Sequence, residues 1–421
     1  MNGIPVQLAI LKLGRSVPNL AVFDLEPTSP DGQTVVTWGD YPPIQTSAFK
    51  QPAREAIGDL PPGGLLAGYL SYEAGATCER MPAPVHPPRL PVVHLRPTEG
   101  HLVYHHGSQE WAVHGTARFR DQAEALLQPP YSTPPRPALP TPTPLQGPAE
   151  RFTDAVQTAL AHIHSGEVYQ VNLAWEASSP PLASPLETWL ELRQHNPARR
   201  GAYVQVDPGT AVLSNSPETY LDVLPAPSSA LCARSVPIKG TVRLADGASG
   251  REHLATSPKE RAELTMIVDM VRNDLGRVAD WGSVTTGPRT LTVCGDLIHA
   301  EQVVEATMRA GLDALDAIEA SFPPGSVTGA PKVRAMELIR ALEPVPRGVY
   351  TGAIGFFTAT GTARFNVAIR TITCTQSASS YHLGAGIVAD SVPSAEWRET
   401  RAKGNRIHAV LSAAANQGEQ A

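Results

Sequence analysis

The stretch "GAIGFFTATGTARFNVAIRTITCTQSASSYHLGAGIVAD", residues 352–390, determines the fold class. It contains three runs, 352–359, 363–374 and 381–390, that are rich in β-branched, aromatic and other apolar residues and are separated by Gly, Thr and Ser. Such runs predict consecutive strands. Because these strands adjoin one another while helices lie elsewhere in the chain, an α+β architecture of antiparallel sheets is favoured over a doubly wound parallel sheet.

Amphipathic patterns outside this stretch predict helices. The apolar residues Phe152, Val156 and Ile163 fall on one face of a segment that Gly166 can end. Pro331 is placed in the first turn of another helix, where its missing N–H costs nothing. The predicted helices cover 151–166, 259–278 and 329–342, and a last one begins near Ser394.

A proline-rich segment divides the chain. Nine of the twenty residues in 129–148 are proline, a composition that favours an extended linker. The total of 421 residues leaves room for two or three domains. We therefore predict an N-terminal subdomain over 1–128, a linker over 129–149 and a catalytic domain over 150–415.

Composition narrows the classes of function. The net charge is −6 and the 34 basic residues form no runs, which argues against nucleic-acid and membrane-surface binding. Apolar runs are too short for a signal peptide or a membrane helix. Four cysteines lie in no metal-ligand spacing, which argues against zinc and disulfides and predicts a reducing, cytoplasmic location.

Lys239 is a candidate nucleophile. It interrupts the strand-like segment "RSVPIKGTVR" (234–243), between apolar neighbours and a Gly-Thr pair. A lysine with the usual pKa of about 10.4 is almost fully charged at pH 7, so nucleophilic attack requires burial or a nearby cation. The alternative is a strand lysine that buries its alkyl chain and extends its ammonium into water.

Three glutamates are further candidates. Glu263, on the predicted 259–278 helix, and Glu399 together could hold Mg²⁺, which takes one or two protein carboxylates and completes its shell with other oxygens. Solvated helix faces are the alternative for both. Glu218, in "LSNSPETY" (213–220), is at face value a helix N-terminal cap.

Two glycine-bearing segments could approach an anion closely. In 323–334, free amides and hydroxyls precede a predicted helix, although a plain cap with a tight turn also explains them. The "GAG" at 384–386 fits either a bound ligand or a β-bulge.

Taken together, these segments resemble the chorismate-utilising enzyme family, which includes the anthranilate, aminodeoxychorismate, isochorismate and salicylate synthases. The resemblance covers about 150–415, and within 1–128 it rests only on "GYLSYEAG" (68–75). It implies large antiparallel β-sheets packed as a sandwich with helices on the outside. The motifs, in chain order, are "YQVNL" (169–173), "SNSPE" (214–218), "PIKGT" (237–241), 262–278, 322–339, "YTGAIGF" (350–356), "AIRT" (368–371) and 384–400.

Two positions distinguish the subfamilies. Isochorismate and salicylate synthases carry a general-base lysine where this chain has Gln170, so the resemblance implies that water is not activated here. Anthranilate synthases read "PIAGT", with alanine where Lys239 stands. The "PIKGT" form is similar to that of the aminodeoxychorismate synthases, in which this lysine is the nucleophile.

The resemblance also implies a set of roles. Lys239 attacks C2 of chorismate, Glu218 is the general acid at the C4 hydroxyl, and His299 lies on the C4 side. Ammonia then replaces the lysine and gives 4-amino-4-deoxychorismate. Glu263 and Glu399 are the Mg²⁺ ligands, and the implied substrate contacts are Gly240, Thr241, Ser326, Tyr350, Arg370, Gly384, Gly386 and Lys403.

The chain has no Gly-x-Cys-x-Gly nucleophile elbow, so ammonia is expected from a separate glutamine amidotransferase subunit. The insertion at 224–235 is expected to lengthen a hairpin. No clear form of the family's tryptophan-binding motif is present near the N-terminus. Two alternatives stay open, an anthranilate synthase component I and a catalytically silent chorismate-binding subunit.

Overall fold

The computed structural model describes residues 4–79, 86–129, 145, 147–226 and 230–418. In this part of the chain, nineteen strands form two antiparallel sheets of ten and nine strands. The α+β prediction is confirmed. No helix in the described ranges combines the length and the apolar character needed to cross a bilayer.

The first sheet has the strand order β15-β7-β19-β18-β9-β8-β1-β2-β5-β6. Its strands are β1 (Ala21–Leu25), β2 (Gln33–Thr37), β5 (Gly100–His105), β6 (Glu110–Gly115), β7 (Gln170–Ser179), β8 (Arg200–Asp207), β9 (Thr210–Ser216), β15 (Gly329–Ala330), β18 (Thr371–Cys374) and β19 (Ser379–Ile387).

The second sheet has the order β12-β14-β11-β10-β17-β16-β3-β4, and β13 also pairs with β14. Its strands are β3 (Leu65–Leu70), β4 (Val93–Pro97), β10 (Thr219–Pro225), β11 (Leu231–Val236), β12 (Ile238–Arg243), β13 (Thr285–Cys294), β14 (Leu297–Thr307), β16 (Ala353–Thr358) and β17 (Ala363–Val367). The insertion at 224–235 does form a hairpin, in which Pro225 pairs with Leu231. Residues 227–229 of that hairpin lie outside the described residues.

Helices cover the outer face of each sheet. One apolar core joins the first sheet to α1, α4, α5, α6, α10 and α11, and another joins the second sheet to α2, α7, α8 and α9. The helices are α1 (Val6–Ser16), α2 (Lys50–Gly58), α3 (Gly75–Cys78), α4 (Ala117–Leu126), α5 (Ala149–His164), α6 (Pro185–His195), α7 (Gly247–Thr256), α8 (Pro258–Gly276), α9 (Ala314–Ser321), α10 (Lys332–Leu342) and α11 (Pro393–Gly418).

A third core lies between the two sheets. Phe23 of β1 and Val212 of β9 come from the first sheet, and Leu65 of β3 and Phe356 of β16 from the second. The rings of Phe23 and Phe356 lie 5.3 Å apart across this interface. This inter-sheet core makes the fold the expected sandwich with helices outside.

Both sheets contain strands from both ends of the chain. β1 pairs with β8, and β3 pairs with β16. Most of the predicted linker, residues 130–144 and 146, lies outside the described residues. The division into domains at 129–149 stays a prediction.

Two local predictions were wrong. Residues 363–374 form two strands in different sheets, because the chain leaves the second sheet after β17 and enters the first at β18. Arg370, at this crossing, has a φ of +51°, which no regular strand allows. Pro331 precedes α10 as its extended N-cap residue and does not lie in its first turn.

Candidate active site

Lys239 reaches from one sheet to the other. It lies on β12, and a methyl group placed on Gly386 of β19, in the first sheet, would be 3.4 Å from the Lys239 Nζ. The residue is half-buried, and its ammonium end lies beside the opposite sheet. Burial lowers the pKa of Lys239, although the carboxylates of Glu263, Glu218 and Glu399 oppose this effect.

The strand that carries Lys239 is bent by a bulge. The β12–β14 register shifts between Lys239 and Thr241, and the intervening Gly240 has a φ of +68°. A side chain at Gly240 would be strained and would also lie 2.6 Å from the Glu260 carboxylate. Gly240 thus permits the bulge that lies directly after Lys239.

Glu218 is a buried carboxyl group beside this lysine. It lies between β9 and β10, so its interpretation as a helix cap is wrong. Its side chain is 3% exposed and accepts hydrogen bonds from the Ser326 hydroxyl and the Ile238 N–H. Burial nevertheless raises the pKa of Glu218 to about 7, so both protonation states are populated at neutral pH.

His299 and Arg370 form a second buried group. The Arg370 Nη2 donates to the His299 Nε2 at 3.4 Å, and the His299 Nδ1 lies 2.9 Å from the Thr241 Oγ1. Since a guanidinium group can only donate, this contact assigns the proton of a neutral His299 to Nδ1. Burial, assisted by the charge of Arg370, lowers the pKa of His299 to about 3.

The "GAG" segment provides a flat wall. The β7–β19 pairing runs from Ser379 to Ile387 without a register shift, so the β-bulge alternative is wrong. A methyl group on Gly384 would lie 2.7 Å from the Tyr350 Oη, and one on Gly386 would lie 2.9 Å from the Gln170 Nε2. The glycines therefore leave space that any side chain would fill.

Several polar atoms around this space lack partners. Both amide atoms of Gln170, the Asn172 Oδ1 and the Arg370 Nη1 are buried without a hydrogen-bond partner among the described residues. Because buried polar groups are nearly always paired, such a group of unpaired atoms indicates a site for a polar ligand. The free guanidinium nitrogen is suited to an anion.

Glu263 on α8 and Glu399 on α11 face the same space. Burial raises the pKa of Glu263, and repulsion from Glu399 adds to this effect. Lys403 lowers the pKa of Glu399, and its Nζ lies 2.7 Å from that carboxylate. The described residues hold no group of three or more His, Cys, Asp or Glu arranged for a metal. Two converging carboxylates nevertheless fit Mg²⁺, whose remaining ligands are usually water and substrate.

Comparison with known proteins identifies the family. The model of the family described as "chorismate binding enzyme" matches residues 28–409. The chain belongs to the chorismate-binding enzyme family.

Curated relatives of this chorismate-binding enzyme carry two different names. Aminodeoxychorismate synthase component 1 of Klebsiella aerogenes is 41% identical over 264 residues, 61% of this chain and 57% of the relative. Anthranilate synthase component 1 of Streptomyces coelicolor is 36% identical over 372 residues, 81% of this chain and 71% of the relative. The chain thus spans little more than half of the first relative.

Solved structures agree on the fold. Anthranilate synthase component I of Streptococcus pneumoniae is 26% identical, with a TM-score of 0.74 over 93% of this chain and 90% of the neighbour. The isochorismate synthase MenF of Escherichia coli, at 19% identity, has a TM-score of 0.74 over 97% of this chain and 92% of its own. The latter comparison supports the fold alone.

The structure brings the predicted site residues of this chorismate-binding enzyme together. Lys239, Glu218, Glu263 and Glu399 interact electrostatically, and the remaining predicted residues join this group through direct neighbours. Lys403, for example, donates to the Gly384 carbonyl at 3.2 Å. Their chemical roles stay predictions.

Sequence reasoning missed Asn172 as a site residue. Gln170 and Asn172 are two positions apart on β7, so their side chains lie on one face of the strand. The sequence does contain a signal for Asn172, because polar residues at alternate positions in an otherwise apolar strand are unexpected in a buried core.

Proposed function

We propose that this chain is an aminodeoxychorismate synthase component I, which converts chorismate and ammonia to 4-amino-4-deoxychorismate and water. The observation that carries the proposal is the position of Lys239, whose Nζ faces the glycine wall beside Glu218. Its lowered pKa favours the neutral amine that a nucleophile needs. The 41% identical relative of that name supports the same assignment.

In the proposed mechanism, the neutral Lys239 amine attacks C2 of the ring while the C4–O bond breaks and the double bonds shift. Glu218 gives its proton to the departing hydroxyl, which leaves as water. Ammonia then attacks C4, the double bonds shift back and the C2–Nζ bond breaks, which regenerates the neutral lysine amine. The ammonium group formed at C4 gives one proton to the Glu218 carboxylate, which restores the general acid. The sequence of steps involves no net oxidation or reduction.

Chorismate carries two carboxylates, and the proposal gives each of them a cationic partner. We assign the enolpyruvyl carboxylate to Arg370, whose Nη1 is unpaired among the described residues, with support from the Tyr350 hydroxyl and the amides of Gly384 and Gly386. Lys403, on α11, is a weaker candidate for carboxylate contact. Ser326 orients the Glu218 carboxyl group through its hydroxyl.

Mg²⁺ is the proposed cofactor. Glu263 and Glu399 would hold it, and the ion would neutralise the ring carboxylate of chorismate, with Gly240 and Thr241 beside that carboxylate. His299, neutral and with its proton on Nδ1, is assigned to the C4 side of the ring.

Ammonia is proposed to come from a separate glutamine amidotransferase subunit, and the complex is proposed to be cytoplasmic. The second candidate function is that of an anthranilate synthase component I, because the relative of that name matches a larger share of the chain. In that reaction ammonia would add directly at C2, and Lys239 would have no covalent role. A silent binding subunit is disfavoured because Glu218, Lys239, Glu263 and Glu399 are all present.

A product assay separates these functions. The purified chain is incubated with chorismate, Mg²⁺ and ammonium at alkaline pH, with and without an added aminodeoxychorismate lyase, beside Lys239→Ala. We expect 4-aminobenzoate only with the lyase, and in the variant a large loss of this activity or a shift to a C2-aminated product. Direct formation of anthranilate by the unmodified chain would refute the proposal, and no product of either kind would favour a silent subunit.

A further inference from the structure

A second cleft lies behind the wall of the active site. It has a volume of about 360 Å³ and is bordered by the turn before α3, by α10 and by the segment 343–347. This volume falls in the range of small-molecule sites. None of the site residues assigned above lines it.

The lining combines an apolar body with polar groups of both signs. Met336 and Ile339 are buried apolar residues, and Pro344 and Pro346 continue the apolar surface. Arg340 and Arg151 contribute positive charge, while Glu73 and Tyr72 contribute a carboxylate and a hydroxyl.

Three of these polar groups are incompletely paired. The Tyr72 Oη, the Glu73 Oε2 and the Arg340 Nη2 are buried without a hydrogen-bond partner among the described residues. Tyr72 itself is only 9% exposed, so its hydroxyl cannot turn freely to bulk water. Unpaired groups of this kind are costly unless something binds to them.

We propose that this cleft binds a small, partly apolar organic acid that also carries an amino or hydroxyl group. Its carboxylate would pair with Arg340, its donor group would bind Glu73 and Tyr72, and its apolar body would lie on Met336 and Ile339. A carboxylate alone would leave the Glu73 Oε2 unpaired, and a neutral molecule would leave the Arg340 Nη2 unpaired.

The cleft is connected to the active site through Arg347. The guanidinium group of Arg347 lies 4.7 Å from the centre of the Tyr72 ring and donates to the Asn172 carbonyl at 2.7 Å and the Val327 carbonyl at 2.9 Å. Its partner Glu343 accepts from the Ala174 N–H at 2.9 Å. Asn172 and the neighbour of Val327, Ser326, both belong to the active site.

These contacts make the two sites energetically linked. A ligand that moves Tyr72 moves Arg347, and through it the strand β7 that forms one wall of the chorismate site. Because linkage is reciprocal, the ligand and chorismate must change each other's affinity by the same factor. We expect this factor to be about 5-fold or more, the lower range of typical coupling.

The test uses 4-aminobenzoate as the probe, with benzoate, which lacks the amino group, and benzamide, which lacks both the amino group and the charge, as analogues. Isothermal titration of the full chain, with chorismate absent and then saturating, should give one probe site that chorismate shifts in affinity but does not abolish. Benzoate and benzamide should bind at least about 10-fold more weakly, the loss expected for one charged hydrogen bond.

Variants locate the binding. Arg340→Gln should weaken the probe at least about 10-fold, whereas Arg334→Gln, on the same helix but paired with Glu167 and Glu337, should not. Ala341→Trp, at the rim of the cleft, should exclude the probe while chorismate turnover persists. Full displacement of the probe by chorismate, or no saturable binding at millimolar concentration, would overturn the proposal. Neither result depends on which product the enzyme makes.

Discussion

The carboxyl group of Glu218 is deeply buried. This burial lowers the stability of the fold, but it also raises the carboxyl pKa into the range that suits a general acid. Burial raises the pKa of Glu218 from 4.5 to about 7 in the folded state. The folded chain therefore binds a proton more tightly than the unfolded chain, so this group destabilises the fold increasingly as pH rises from about 4.5 to 7. The cost reaches about 3 kcal/mol above pH 7.

Glu218→Gln should therefore separate the two properties. We expect turnover to fall by about 10²- to 10⁴-fold, the range for loss of a general acid. The variant should be up to about 3 kcal/mol more stable than the unmodified chain at pH 8 and equally stable near pH 4.5. Urea unfolding at both pH values measures this, with the exposed Glu150→Gln as control. An equal difference at both pH values would contradict the burial argument.

Gly386→Ala tests the closeness of the glycine wall to the lysine. The added methyl group would lie 3.4 Å from the Lys239 Nζ and 2.9 Å from the Gln170 Nε2, so chorismate turnover should fall at least about 10-fold. The free energy of unfolding should change by less than about 1 kcal/mol, because the backbone at Gly386 is that of a regular strand. Steady-state kinetics and urea unfolding measure the two effects. Gly287→Ala, where the nearest atom is the Val303 Cβ at 3.5 Å, should affect neither.

At the residue scale, the sequence predicted the members of the site but not their partners. Lys239 stood out because a charge interrupts an apolar strand, and that anomaly is local. That its amine faces Gly386 depends on the packing of two sheets, which no local pattern contains. The unpaired guanidinium nitrogen of Arg370 lies at the crossing between the two sheets. The strand-like run 363–374 gives no sign of that crossing in the sequence.

At the scale of elements, an ion pair fastens α10 to α8. The Lys332 Nζ donates to the Asp274 carboxylate and to the Ser321 carbonyl, both at 2.7 Å, and both charged side chains are buried. These helices hold Glu263 on one side and the Ser326 turn on the other. The pair therefore joins the C-terminal end of α8 to the N-terminal end of α10.

Lys332→Met should destabilise the chain by about 3 to 5 kcal/mol, because it leaves a buried carboxylate without its partner. The double variant Asp274→Leu/Lys332→Met should regain most of this loss, since no unpaired charge remains. Urea unfolding of the two variants provides the comparison. As a control, Arg272→Met on α8 removes an exposed pair with Asp269 and should cost at most about 1 kcal/mol. A double variant as unstable as the single one would refute this account.

A helix or strand could be predicted from the sequence where one periodic pattern covered a single element. The apolar face of 259–278 corresponds to α8, and the run 352–359 corresponds to β16. The run 363–374 failed because strand propensity continues through the crossing between sheets. Only the positive φ of Arg370 marks that crossing, and arginine gives no sequence signal for it.

At the scale of the molecule, the N-terminal strands are integral to both sheets. β1 and β2 lie between β8 and β5 in the first sheet, and β3 pairs directly with β16 in the second. The sequence resemblance was weak over 1–128, so this sharing could not be read from motifs. Strand pairing between distant segments depends on long-range contacts that local sequence does not encode.

Chains of this length often unfold domain by domain. Because both sheets contain strands from before and after the proline-rich segment, we expect the two parts of this chain to unfold together. Opening β8 exposes the edge of β1, and opening β16 exposes that of β3, so neither end of the chain can lose its strands alone. Native-state hydrogen exchange in increasing urea should give β1 and β8 peptides the same opening free energy, within about 1 kcal/mol. Edge strand β6, which among the described strands pairs only with β5, serves as the internal control and should exchange earlier. If β1 opened at a clearly lower free energy than β8, the N-terminal part would be a separate folding unit, and the predicted division at 129–149 would be supported instead.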